Sequence, residues 1–313
     1  MRTRTRVTLL VSAAMLLAVY SSALQQDDAW AKTIEALIAR GRLTEARARL
    51  SEQDAQRSGS YVGLVLEARL LTAEQHFAES LNVLQRCLAI RNDDPEAYKL
   101  VAANAIRLDK LETGEMALKK AEELAPGDYL VHFHLGALHY TESHFSDARL
   151  ELERAVSLRP DYSPGQLFLG LALEELGAEL GAIEAYRKAL SLNEAQGGKS
   201  ELPYLYLGRL LYRLSRPAEA APLLRKASET NARSAEAWLW LGKACQGLGQ
   251  AEEAVSALQH AIHADGTLPE PHYVLSRVYL AQHRTELSEE ELVRFRELLG
   301  VEKKKDDGRR RNP

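Results

Sequence analysis

Apolar and small residues in this chain fall in blocks, and between Tyr129 and Ala189 one block is written twice, 34 residues apart. LGALHY followed by DARLELERAVSL returns as LGLALEELG followed by AIEAYRKAL, so Gly136 answers Gly170, Ala148 answers Ala182 and Ala155 answers Ala189. A period between 20 and 50 residues marks a stack of supersecondary units, and this pattern at 34 predicts a helix-turn-helix in each. Carrying the register in both directions gives repeat starts at Asp27, Tyr61, Pro95, Tyr129, Ser163, Glu201, Ala235 and Pro269, with one step four residues longer than the rest. From the second repeat to the seventh, position 8 reads Ala68, Ala102, Gly136, Gly170, Gly208, Gly242. Position 20 reads Ser80, Gly114, Ala148, Ala182, Ala220, Ala254, and position 27 reads Cys87, Ala121, Ala155, Ala189, Ala227, Ala261. Three files of small side chains are what two helices need for their backbones to approach closely.

Proline supports the same boundaries. Pro126 and Pro160 follow second helices, while Pro95, Pro164, Pro203, Pro269 and Pro271 stand at the starts of first helices, where a missing N–H costs little. Pro217 opens a second helix. Pro222 lies one turn inside it and predicts a kink or a late start. The four extra residues fall in NEAQGGKS, whose Gly197 and Gly198 weaken helix continuation; 197–200 is the place for a bend between five N-terminal and three C-terminal repeats, or for a longer surface loop.

The small-residue files, with large residues at position 4 and a proline near position 32, resemble the tetratricopeptide repeat family. The resemblance covers Asp27 to Glu302. It implies an all-α fold, a right-handed superhelical solenoid of about eight helix-turn-helix units spanning 27–60, 61–94, 95–128, 129–162, 163–196, 201–234, 235–268 and 269–302. The first repeat, with Trp30 at position 4 but Ile34 at position 8, reads as an N-terminal cap, and the last, with Phe295 where others carry Ala, as a C-terminal one.

Composition adds little to that picture except at the ends. The chain is 46% apolar and only 6% aromatic. Its formal charge of −4 is unevenly spread: without Arg2, Arg4 and Arg6 and the net four positive charges of 303–313, the repeat body carries −11. That field argues against a nucleic-acid partner. Arg2 to Arg6, the apolar run Val7 to Tyr20 and the small residues Ser21 to Ala23 read as a signal peptide over 1–23, which predicts export to a periplasmic or extracellular place in a bacterial-type cell. As a helix the apolar run spans roughly 21 Å, short of the roughly 30 Å hydrocarbon core. Membrane association is therefore expected only through a retained N-terminal segment. Residues 303–313 read as a disordered charged tail. Cys87 and Cys245 fall at packing positions of distant repeats and are expected as buried thiols, unbridged.

No catalytic constellation emerges: the sequence has no Gly-rich phosphate loop, no G-x-S-x-G and no domain beyond the repeats, so no enzymatic activity and no cofactor are expected. Histidines cluster as His132, His134, His139 and His144, and as His260, His263 and His272. The register puts His132 and His139 in aromatic packing slots, and His260 and His263 lack a third ligand at zinc spacing, so no metal is expected. The family resemblance implies that positions 2, 5, 6, 9, 12 and 13 of the first helix line a concave, peptide-binding groove. Position 9 reads Arg209, Lys243 and Arg277 in the last three repeats, with Tyr206 and Trp240 at 6, Tyr273 at 5, Tyr212 at 12 and Arg213 at 13. Cations beside aromatic rings suit an extended, carboxylate-bearing protein or peptide partner. The Asn residues by which chaperone adaptors of this family clamp a terminal carboxylate are missing from positions 6 and 9. In the fourth and fifth repeats Phe133, Tyr140, Leu167, Phe168 and Leu171 make the groove apolar, open to an amphipathic helix or closed by tight curvature. The expected role is a non-enzymatic binding scaffold; the alternative is an accessory subunit of a cell-envelope assembly or secretion machine, anchored by an uncleaved signal.

Overall fold

The computed structural model describes residues 29–51 and 59–310. The expected signal at 1–23 lies outside them. Among the described residues there are sixteen α-helices and no strand. In chain order they pair as α1 (Ala29–Ala39) with α2 (Leu43–Ser51), α3 (Tyr61–Ala73) with α4 (Phe77–Ile90), α5 (Pro95–Arg107) with α6 (Leu111–Leu124), and α7 (Tyr129–Thr141) with α8 (Phe145–Leu158). Then follow α9 (Ser163–Glu175), α10 (Glu179–Ala195), α11 (Leu202–Arg213) with α12 (Pro217–Thr230), α13 (Ala235–Gly247) with α14 (Ala251–Ala264), and α15 (Pro269–Ala281) with α16 (Thr285–Arg310). The fold class is an all-α repeat solenoid. It divides into two compact units, one ending at Gly177 after α9 and one beginning at Ala178 with α10. The division thus falls within the fifth repeat. Within each unit every helix packs on the next, and first helices also touch the first helix of a neighbouring repeat, as α11 does α13 and α13 does α15.

First and second helices start by different means. Four first helices are capped by the side chain just before them: Ser60 accepts from Gly63 N–H, Asp94 from Glu96, Asp128 from Leu130 and Ser234 from Ala237. Second helices have no side-chain cap at His76, Lys110, His144, Arg216 or Gln250. Their start is fixed by the turn. Position 15 of every repeat is left-handed, with Gly41, Gly177 and Gly249 there but also Gln75, Asp109, Ser143, Ser215 and His283. The next residue's N–H then reaches back five residues, as His144 does to the His139 carbonyl at 2.8 Å and Gln250 to Cys245 at 2.9 Å, closing the first helix as it opens the second.

In the first unit Ile34, Leu37 and Ile38 of α1 pack with Ala46, Leu66 and Leu70, so the first repeat closes one end of this core. Across the α7–α8 pair Ala148, Leu152 and Ala155 are fully buried. Position 20 of the second repeat is Ser80, and its hydroxyl joins a closed polar set: Ser80, Thr72 and Asn104 meet at 3.0 Å and reach the carbonyls of Ala68 and Leu100. All members are satisfied, so the set is tolerated inside an apolar stack.

Two further polar groups are buried here. Lys99, 3% exposed, is held by Glu96 at 2.5 Å and Asp128 at 2.6 Å. His134 is buried and its Nδ1 has no hydrogen-bond partner. Burial, with the Lys99 ammonium adding to it, pushes the His134 imidazole down to about 3. The unfolded chain takes up this proton near pH 6.5 and the native chain refuses it, so stability falls as pH drops from 6.5 toward 3. We expect wild type to lose roughly 2 kcal/mol more than His134→Leu between pH 7 and pH 5, read from urea midpoints; equal losses would show that the imidazole is protonated in the native fold.

In the second unit the four extra residues lengthen α10 to 17 residues, and the chain then turns through Gly197 (φ 96°) and Gly198 (φ 64°). Asn193 clasps this turn, its amide donating to the Ser200 carbonyl at 2.9 Å and its oxygen accepting from Ser200 N–H at 3.2 Å. The start expected late at α12 is not: the helix opens at Pro217 and runs through Pro222. Pro222 and Ala218, the residue whose carbonyl loses its helical partner, are both exposed, which lowers the cost of the missing bond. Pro222→Ala is expected to stabilise this unit by about 1 to 3 kcal/mol, measured by thermal and urea unfolding. At the chain's end α16 continues to Arg310, through residues read from sequence as a disordered tail. Lys, Arg and Glu are good helix formers and no proline intervenes before 313, so a helix already nucleated by packing propagates. Cys87 and Cys245 are buried and free, and burial pushes each thiol up to about 11.

Candidate binding face on the first helices of the last three repeats

Residues three apart on a helix share a face, and in α11 and α13 this places the position-9 cation over the position-6 ring of its own helix. The Arg209 guanidinium lies 4.7 Å from the Tyr206 ring centre and the Lys243 ammonium 3.9 Å from that of Trp240. The next repeat then contributes a carboxylate from its position 2. Glu236 stands 3.7 Å from Arg209 and Glu270 2.5 Å from Lys243. Each rung is therefore ring, cation and carboxylate, drawn from two adjoining first helices.

The third rung differs. Position 6 of the eighth repeat is Val274, and Arg277 is exposed with no ion-pair partner among the described residues. Tyr273 is 41% exposed and its ring packs 5.2 Å from that of Phe295, the bulky residue of α16. Tyr212 meets Trp240 edge-on at 5.7 Å, and Arg213 beside it is exposed. Tyr206 is buried, 6% exposed, and stacked on Tyr186 at 6.1 Å. It supports Arg209 from below and offers no open ring face. Four cations, Arg209, Arg213, Lys243 and Arg277, thus share this face with Glu236 and Glu270 and outnumber them.

The carboxylates were missed from sequence although a signal existed: Glu236 follows Arg209, and Glu270 follows Lys243, at the same interval of 27. The apolar stretch of the fourth and fifth repeats is closed except at Tyr140, which is half-buried. Phe133, Leu167, Phe168 and Leu171 are buried, and Phe133 meets Phe168 at 5.3 Å and Tyr162 at 5.1 Å, both edge-on. These rings form core between α7 and α9. Other histidines also find structural partners. Trp238 stacks on His260 at 4.5 Å. His132 Nδ1 lies 2.7 Å from Glu151 and its Nε2 3.1 Å from the Pro126 carbonyl, and His272 repeats the first contact with Glu291 at 2.6 Å. Positions 4 and 23 are joined both times, a polar substitute for the large residue at position 4.

The sequence matches the family described as Tetratricopeptide repeat over residues 133–198 and 205–269. No curated protein matches it. Among solved structures it resembles YrrB, described as a TPR protein with an unusual peptide-binding site, at 21% identity over 59% of this chain and 93% of YrrB, with a TM-score of 0.51. It also resembles MamA from Desulfovibrio magneticus RS-1, at 19% identity over 55% of this chain and 96% of MamA, with a TM-score of 0.51. At these identities the likeness is one of fold.

Proposed function

We propose that this chain, which belongs to the tetratricopeptide-repeat family, is a non-enzymatic protein–protein interaction scaffold that holds an extended, acidic partner segment along α11, α13 and α15. The observation that carries this reading is the pair of ring–cation–carboxylate rungs ending in the open cation Arg277. Arg209 and Lys243 are pre-positioned by their rings and glutamates, so little side-chain freedom is lost when a ligand arrives. Arg277 supplies charge that an incoming carboxylate meets directly. Peptide binding by YrrB is a precedent for the fold. Among the described residues no helix is long and apolar enough to cross a membrane. The run Arg2 to Ala23 supports an exported place of action. The mass of the mature N-terminus separates a cleaved, free scaffold from the second reading, an accessory subunit of an envelope machine anchored by a retained signal.

The test uses Arg277→Glu, which breaks no ion pair. With the partner captured by the mature repeats from the envelope fraction, we expect about tenfold weaker binding and unchanged helicity. Undiminished affinity would remove Arg277 from the site.

A further inference from the structure

The turn between α7 and α8 gathers three side chains that the binding reading does not use. His139 lies in the last turn of α7, Glu142 caps that helix's end, and His144 immediately precedes α8. The Glu142 Oε2 atom lies 3.8 Å from His139 Nδ1 and 3.7 Å from His144 Nδ1, and the three atoms all fall within 4.8 Å of one another. A tetrahedral ion with bonds of about 2.0 to 2.1 Å needs its ligand atoms about 3.3 Å apart, so binding would draw these side chains together by about 0.4 to 1.5 Å. The backbone is already fixed: His144 N–H donates to the His139 carbonyl at 2.8 Å, Glu142 N–H to Leu138 at 3.1 Å, and Ser143 between them is left-handed at φ 66°. Independently, His139 Nδ1 is a buried atom with no hydrogen-bond partner, a costly state for an imidazole unless something else is meant to meet it.

We propose that this turn is a binding site for a divalent transition-metal ion of the zinc class, held by His139 Nδ1, Glu142 Oε2 and His144 Nδ1. Two imidazoles with one carboxylate suit zinc, copper or nickel over the oxygen-seeking calcium and magnesium. His144 is exposed while His139 and Glu142 are largely covered, which leaves a fourth position for water. Glu115 of α6 is already paired with Lys119 at 2.7 Å and is not counted among the ligands. The same three repeat positions hold Leu71, Glu74 and His76 in the second repeat, Cys245, Leu248 and Gln250 in the seventh, and Tyr279, Gln282 and Arg284 in the eighth. The ligand set thus belongs to the fourth repeat alone. The other candidate trio, Glu122, His132 and Glu151, differs in kind: both His132 nitrogens are already engaged, and Arg154 lies 3.3 Å from Glu122 and 3.5 Å from Glu151. An arginine there already supplies the positive charge.

An ion at this turn would staple the end of α7 to the start of α8. The test is titration of the untagged full chain with cobalt(II), followed by visible absorption, and with zinc(II), followed by calorimetry. We expect one equivalent bound with the absorption of four-coordinate cobalt, weakened about tenfold or more in both His144→Ala, at an exposed position, and Glu142→Gln, which keeps the side chain's size and shape, so that both leave the helix pair folded. His132→Gln should bind as wild type. Absence of stoichiometric binding to the wild-type chain, or binding that survives both His144→Ala and Glu142→Gln, overturns the site.

Discussion

Gly242→Leu should unfold the second unit with about 3 kcal/mol less free energy than wild type, the largest stability loss expected from a single change away from any proposed site. A Cβ built at Gly242 meets Leu258 Cγ at 2.6 Å and Cδ2 at 2.8 Å, with the Ala254 carbonyl at 3.5 Å. Gly208 faces Leu224 at 2.7 Å and Gly136 faces Leu152 at 2.6 Å in the same manner. The α13–α14 spacing is thus set by a missing side chain. Alanine separates two opposing effects. It gains about 0.5 to 1 kcal/mol of helix propensity over glycine and forces Leu258 to move, at a cost of about 1 to 3 kcal/mol. Gly242→Ala should therefore be only mildly destabilising. Ala68 and Ala102 occupy this position in the second and third repeats, both fully buried, so the hairpin has a geometry that admits one methyl group. Leucine has the same propensity advantage but three more carbons with nowhere to go. Urea unfolding followed by circular dichroism checks the order glycine, alanine, leucine. A leucine variant as stable as wild type would mean that the helix pair is not closely packed.

Trp240→Ala should weaken partner binding by about 2 kcal/mol or more, roughly thirtyfold, while leaving the fold in place. Trp240 is only half-buried, yet it carries the Lys243 ammonium at 3.9 Å and receives the edge of Tyr212 at 5.7 Å. Removing the ring frees Lys243 to rotate and strips an apolar platform from the middle of the face. Binding isotherms at two salt concentrations separate these effects. The loss from Trp240→Ala should persist at high salt, whereas that from Arg277→Glu should shrink as charges are screened. A tryptophan variant that binds as tightly as wild type at both would exclude the ring from the site.

The helix pairs were legible in the sequence because close packing restricts size at fixed positions. Gly208, Ala220 and Ala227 announce a hairpin whatever surrounds them. The position-9 cations were legible as well, since Arg209, Lys243 and Arg277 recur at the repeat interval. Their neutralisation by Glu236 and Glu270 was not, because it depends on how one first helix leans on the next, which the packing positions do not encode. The apolar run of the fourth repeat was ambiguous for a related reason: Phe133 and Phe168 are ring partners across α7 and α9, and only their mutual geometry shows that they form core. Pro222 was read by its intrinsic cost, and the exposed setting of Pro222 and Ala218 tempers that cost. The turn histidines escaped because His139 fits a packing slot by register while its partner His144 lies across a left-handed residue.

The most direct measurement of where the partner lies is photocrosslinking from single positions on the folded chain. A photoreactive residue replacing Tyr273, on the first helix α15, is compared with one replacing Lys226, exposed on the second helix α12. We expect position 273 to capture the partner, with this capture competed by unlabelled partner and abolished by Trp240→Ala, and position 226 to capture little. Efficient, competable capture from position 226 with none from 273 would place binding on the second helices and contradict the proposed site.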